Sequence, residues 1–220
     1  MNRLKKHRCA LFDLDGVIVD TAKYHFLAWK KIAAQCGYEL TLQDNEQLKG
    51  VSRPDSLNRI LEMAGTRLDE TTFESYLHQK NKDYLQLIQE VTPEDILPGV
   101  QAALNFLKLN KVKIGLGSAS KNALIILEKL QITSFFEVII DGNSVQQGKP
   151  HPEVFLKGSN ALGEAAEACV VFEDSQAGID AAKAGGMTAV ALGDAKLFKN
   201  MDYCYHDFEA LDKVVLQTLF

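Results

Sequence analysis

Cys9-Ala10-Leu11-Phe12-Asp13-Leu14-Asp15-Gly16 begins as an apolar run and ends in two carboxylates spaced two residues apart. The run reads as a buried strand. Residues i and i+2 of an extended segment face the same side, so Asp13 and Asp15 converge, and Gly16 lets the backbone turn away. Two like charges so close need a counter-charge, and an oxygen-only donor set favours Mg²⁺. With a metal present, one carboxylate can attack a phosphorus centre while its neighbour moves a proton. A loop carrying two solvated acids is the competing reading, because paired acids also cap helices and shape turns.

Three more polar clusters follow apolar runs of the same kind. Ser118 ends Val112-Lys113-Ile114-Gly115-Leu116-Gly117 and precedes Ala119-Ser120-Lys121-Asn122 and a helical stripe of Ala123, Ile126, Leu127 and Leu130. A hydroxyl and free N–H groups at a helix start form a phosphate seat; an ordinary Ser N-cap is the alternative. Lys149 lies in Gly148-Lys149-Pro150-His151-Pro152, where two prolines stiffen the chain around one cation. Glu173-Asp174-Ser175 closes the run Cys169-Val170-Val171-Phe172 and opens a helix through Ile179 and Ala182. Those acids could equally be first-turn charges favoured by the helix dipole. Polar clusters at the carboxyl ends of several strands match the place where open α/β sheets bind ligands.

The rest of the chain supports one enzyme-sized unit with an insertion. From about residue 22 to 90 the pattern is helical, with stripes of Phe26, Trp29, Ala33 and Cys36 and of Leu57, Ile60, Leu61 and Ala64. Strands and helices alternate outside this block. The expected architecture is α/β: a doubly wound, mainly parallel sheet over 1–20 and 92–220, with a small all-helical cap, 21–91, inserted after the first strand. Within the cap, Lys49-Gly50-Val51-Ser52-Arg53 offers close backbone approach, a hydroxyl and a guanidinium that can grip phosphate; a loop with an N-cap Ser is the alternative. His25 follows Thr21 by one helical turn and could steer Asp15, against the alternative of a satisfied, partly buried histidine. Trp29 reads first as packing, with a second role bordering the substrate.

At 220 residues, with 24 Lys and Arg against 29 Asp and Glu and a net charge of −5, the chain has no basic excess for nucleic acid. Cys9, Cys36, Cys169 and Cys204 have no metal or disulfide spacing. Lys5, Lys6 and Arg8 mimic a signal-peptide start, but the apolar run behind them breaks at Asp13, and no segment has membrane-spanning length. A cytoplasmic monomer acting on a small molecule, with neither nucleic acid nor membrane as partner, is expected.

The order Asp13-x-Asp15, Ser118, Lys149, Glu173-Asp174 resembles the haloacid dehalogenase superfamily of phosphoryl-transfer enzymes. Within it the closer likeness is to the β-phosphoglucomutases, carried by Asp15-Gly16-Val17-Ile18, Tyr24-His25-Phe26, Ala28-Trp29-Lys30, Asn45 to Arg53, Ser118 to Asn122 and Glu173 to Ile179. That resemblance implies Asp13 as nucleophile, Asp15 as general acid and base, and Ser118 and Lys149 meeting the transition-state charge. It implies Mg²⁺ on Asp13, the Asp15 carbonyl and Asp174, with Glu173 in or beside the shell. Substrate contacts would come from His25, Trp29, Lys49, Gly50, Val51, Ser52, Arg53, Lys80, Ala119, Ser120, Lys121 and Asn122, with Ser118 and Lys149; a solvated helix face is the competing account of Lys80. The implied reaction converts β-D-glucose 1-phosphate to D-glucose 6-phosphate, with β-D-glucose 1,6-bisphosphate as intermediate and primer. A sugar-phosphate phosphatase would use the same core residues. A non-catalytic binding protein would be expected to have lost Asp13, Asp15 or Lys149, and all three are present.

Overall fold

The computed structural model describes residues 7–211 and 213–220; Lys5 and Lys6, read above as part of a basic start, lie outside them. In chain order the elements are β1 (Cys9–Phe12), α1 (Ala22–Gln35), α2 (Leu42–Glu46), α3 (Arg53–Ala64), α4 (Glu70–Leu87), α5 (Val100–Leu109), β2 (Lys113–Gly117), α6 (Ala123–Lys129), β3 (Val138–Ile140), α7 (Glu153–Ala161), β4 (Cys169–Glu173), α8 (Gln176–Ala184), β5 (Thr188–Leu192), β6 (Tyr203–Tyr205) and α9 (Lys213–Leu219). The strands form one parallel sheet in the order β3-β2-β1-β4-β5-β6.

Strands β1 and β4 are buried along their whole length, which is why they read as unbroken apolar runs rather than as alternations. One face of the sheet packs Phe12, Phe172, Leu116 and Val190 under α5; the other packs Leu11, Val171 and Ala189 under α7 and α8. Chain order reverses at β1, whose neighbours are β2 on one side and β4 on the other. That reversal opens a crevice at the carboxyl ends of the strands. In register, Phe12 pairs with both Leu116 and Phe172, so the residues that follow these three strands emerge side by side.

Helices α1, α3 and α4 carry an apolar cluster of their own, with Trp29, Ile32, Leu40, Leu57, Ile60 and Leu77 buried in it. Each of α2, α3 and α4 starts on a polar N-cap, Thr41, Ser52 and Asp69, whose side chain accepts a backbone N–H that the helix leaves unpaired. Two short chain segments join this helical layer to the sheet, and they lie against each other: Leu97 N donates to Ile18 O at 2.9 Å, and Val19 bridges to Ile96.

Candidate active site

Asp13, the first residue past β1, is 3% exposed. Lys149 Nζ lies 2.6 Å from Asp13 Oδ1 and 2.6 Å from Glu173 Oε1, itself almost fully buried. The other Glu173 oxygen accepts from Ser175 N at 2.9 Å and Ser175 Oγ at 2.8 Å. Both oxygens of Glu173 are thereby engaged, one of them in holding Lys149. Glu173 also belongs to β4, and α8 has no acid in its first turn, which corrects the first-turn-charge alternative.

One oxygen each from Asp13, Glu173 and Asp174 lie within 4.8 Å of one another. Burial, with Glu173 and Asp13 nearby, drives the Asp174 carboxyl well above the usual carboxylate range; the nearest cation to it is Lys49 Nζ, at 3.8 Å. Burial likewise raises Asp13, with Lys149 opposing and Glu173 and Asp15 adding to it. Three buried acids against one buried lysine leave an uncancelled negative charge, and hard oxygen donors in that state suit Mg²⁺. The observed donor set therefore fits the metal the sequence implies.

Asp15 is held quite differently. The Thr21 hydroxyl donates to Asp15 Oδ1, and His25 Nε2 stands 3.6 Å from the same oxygen. Burial alone would raise the Asp15 carboxyl, but His25, Thr21 and Lys80 together hold it below its ordinary value. Lys80 Nζ is 2.7 Å from His25 Nδ1. With Lys80 in its protonated form, which has donors only, Nδ1 accepts and the ring proton sits on Nε2, facing Asp15. Tyr84 stacks on His25 with ring centroids 4.1 Å apart, which fixes the imidazole plane. Lys80 is 2% exposed, so the solvated-face reading of it falls. Its burial, beside Arg53, lowers its pKa to about 7.

A cavity above Asp13 and Asp15 is lined from the sheet side by Ala119, Ser120, Lys121, Asn122 and Asp174. The helical layer lines it with His25, Trp29, Lys49, Gly50, Val51, Arg53 and Lys80. Of the predicted contacts, Ser52 is not on this wall: it caps α3, its hydroxyl engaged with Asp55. Ser118 and Lys149 lie beneath the cavity rather than on its lining, and Ser118 Oγ accepts from Ser120 N at 3.0 Å. Helix α6 begins only at Ala123, so the seat expected at a helix start is instead the intervening turn, with Ser120 Oγ accepting from Asn122 N at 3.2 Å. Ser56, Asn45, Leu48 and Ala22 line the wall without having been singled out; Ser56 follows Arg53 by three residues on α3, a helical spacing that could have revealed it.

Two glycines let the layers meet. Gly16, at φ 78°, turns where a side chain would run into the Asp174 carboxylate. Gly50, at φ 70°, sets the helical layer's loop directly against Ser175 Oγ, the hydroxyl that holds Glu173. The loop thus closes against the sheet beside Glu173 and Asp174.

Comparison with known proteins agrees with this geometry. The haloacid dehalogenase-like hydrolase family matches residues 7–186. A β-phosphoglucomutase of Bacillus subtilis is 45% identical over 191 residues, covering 86% of this chain and 84% of its own length. A phosphorylated carbohydrates phosphatase of Thermotoga maritima is 31% identical, over 84% of this chain and 87% of its own. The crystal structure of a β-phosphoglucomutase from Clostridium difficile superposes with a TM-score of 0.93 at 39% identity, covering 97% of this chain and 96% of that one.

Proposed function

Because the chain belongs to the haloacid dehalogenase-like hydrolase family, we propose that it transfers a phosphoryl group through Asp13, and that its reaction is the interconversion of β-D-glucose 1-phosphate and D-glucose 6-phosphate. The observation that carries this reading is the unequal treatment of two aspartates under one cover. Asp13 is salt-bridged to Lys149, whereas Asp15 is hydrogen-bonded to Thr21 and faced by a histidine N–H. Pairs of carboxylates whose environments push them apart take different roles.

Asp15, held in its ionised form, first withdraws the proton of a sugar hydroxyl, which attacks phospho-Asp13; it then returns that proton to the sugar oxygen that leaves when Asp13 attacks the other phosphorus in line. Lys149 and the Ser118 hydroxyl meet the charge on the transferred group. The Asp13 and Asp174 carboxylates and the Asp15 carbonyl, with Glu173 in or beside the shell, would hold Mg²⁺, which would supply charge neutralisation when bound. Arg53 and Lys121 line the cavity and would grip the phosphate that stays put. A bisphosphate is the natural intermediate, since the released product needs one phosphate while the enzyme must leave the cycle phosphorylated. Asp13 lies under cover at 3% exposure, which suits an aspartyl phosphate that must wait for a sugar rather than react with water.

A phosphatase of sugar phosphates is the second reading, favoured by the relative from Thermotoga maritima. Phosphorus NMR of the protein with Mg²⁺, β-glucose 1-phosphate and a trace of the 1,6-bisphosphate separates the two. Glucose 6-phosphate accumulating ahead of free phosphate is expected. Free phosphate as the main product would replace the mutase by the phosphatase.

A further inference from the structure

Asn81 is absent from the cavity wall, yet a single oxygen of its side chain holds two residues that line it. Asn81 Oδ1 accepts from Arg53 Nη2 at 2.8 Å and from Asn122 Nδ2 at 2.9 Å. Arg53 opens α3 and Asn81 lies within α4, both in the helical layer; Asn122 precedes α6 on the sheet side. Arginine has donors only, so the group facing it must be the amide oxygen, which fixes the orientation of the Asn81 amide.

The choice of an amide here is physically pointed. A carboxylate in the same place would hold Arg53 more tightly, but it would also cancel the guanidinium charge and repel an incoming phosphate. The carbonyl of Asn81 orients the guanidinium and leaves its charge available. No carboxylate among the described residues comes within ion-pair distance of Arg53, which is half-buried. Consecutive residues of α4 therefore serve opposite ends of the cavity: Lys80 reaches His25 and through it Asp15, while Asn81 reaches Arg53 and Asn122.

Resting on the phosphoryl-transfer reading above, we propose that Asn81 is a positioning residue that aims Arg53 at the phosphate not being transferred and, through Asn122, ties that aim to the seating of the helical layer on the sheet. A substrate with a second anionic group is thereby gripped by both layers at once, and a phosphate with no distal anion is not.

A double-mutant cycle tests this with glucose 6-phosphate as the probe and calorimetry as the readout, Mg²⁺ and beryllium trifluoride first capping Asp13 in place of the transferred phosphoryl group so that the sugar's one phosphate is left with the distal position. Asn81→Ser, too short to reach both partners, should raise Kd at least about tenfold in the native background, the scale of a lost hydrogen bond to a charged group. In an Arg53→Ala background the same substitution should change Kd less than about twofold, because nothing remains to be aimed. A general disturbance of α4 would instead weaken binding equally in both backgrounds, and that additive result overturns the proposal, as does an unchanged Kd for Asn81→Ser alone. Labelling of Asp13 by acetyl phosphate, which has no distal anion, should stay within about twofold in Asn81→Ser, and an equal loss there also overturns it. If Asn81→Ser does not fold, Asn81→Ala takes its place in the cycle, and the same results support or overturn the proposal. Failure of the native protein to bind glucose 6-phosphate would bring down the parent reading and this one together; native binding with additive losses brings down this one alone.

Discussion

The floor and the roof of the cavity are charged in opposite ways and left incomplete in opposite ways. On the floor, Asp13, Glu173 and Asp174 crowd around one close lysine, and burial beside the other two acids drives Asp174 upward. On the roof, Lys80 and Arg53 rest on neutral partners, His25 and Asn81, and burial beside Arg53 drives Lys80 down to about 7. Acids outnumber cations on the floor, and cations outnumber acids on the roof. A metal on the floor and a phosphate dianion under the roof would offset both excesses, so loading the site would also relieve the electrostatic cost of having built it. The neutral partners on the roof matter for the same reason: acids there would have stabilised the empty protein and blunted its hold on substrate.

The strongest way to break this contrast is at the floor. Asp13→Asn should abolish steady-state isomerisation while the chain still folds, since an amide is a poor nucleophile; turnover measured in that variant would remove Asp13 from its role. Asp15→Asn should cost at least about a hundredfold in kcat, the usual scale of acid–base help, and a loss below tenfold would make Asp15 a ligand only. At the roof the effects are smaller and selective. Arg53→Ala should lower kcat/KM for the sugar phosphate by about ten- to a hundredfold and leave acetyl phosphate labelling of Asp13 nearly unchanged. Equal losses in both assays would mean damage rather than a missing grip.

The finest test is a proton. Between about pH 7 and the ordinary lysine value of about 10.4, the unfolded chain holds a proton on Lys80 that the folded, empty protein has released. Stability from this group therefore rises with pH across that window, being lowest below pH 7. A bound phosphate dianion restores the charge, so binding at about pH 8.5 should take up a proton, read by calorimetry in buffers of different ionisation heat. Lys80→Met should bind with less uptake and lose the rise in stability; unchanged uptake would place the proton elsewhere.

Much of the floor was legible in the sequence because Asp13, Ser118 and Glu173-Asp174 each stand at the end of an apolar run, and a strand that ends in a charge marks itself; Lys149 does not fit the pattern, since β3 ends at Ile140 and a polar loop separates the two. Asp13, Ser118 and Glu173-Asp174 meet through the register of three paired strands, which the run-then-polar pattern reports faithfully. Roof residues carry no such mark. Lys80 meets His25 across 55 positions and Asn81 meets Asn122 across 41, and on a helix surface neither differs from a solvated neighbour. Ser52 was drawn toward the substrate by the company it keeps, while the local signal, Ser followed three residues on by Asp, was that of a cap. The turn after Ser118 delayed α6 because the two serine hydroxyls accept the backbone N–H groups two residues on, satisfying the chain without a helix.

The pairing of Val19 with Ile96, and of Ile18 with Leu97, has a mechanical meaning. A flap tied on by one strand swings like a ball on a string, whereas two strands stapled side by side make a flat pin. The two crossings of the chain between the helical layer and the sheet are thereby paired into one connection, so the layer whose loop sets Gly50 against Ser175 is held by two hydrogen-bonded strands rather than by a single tether.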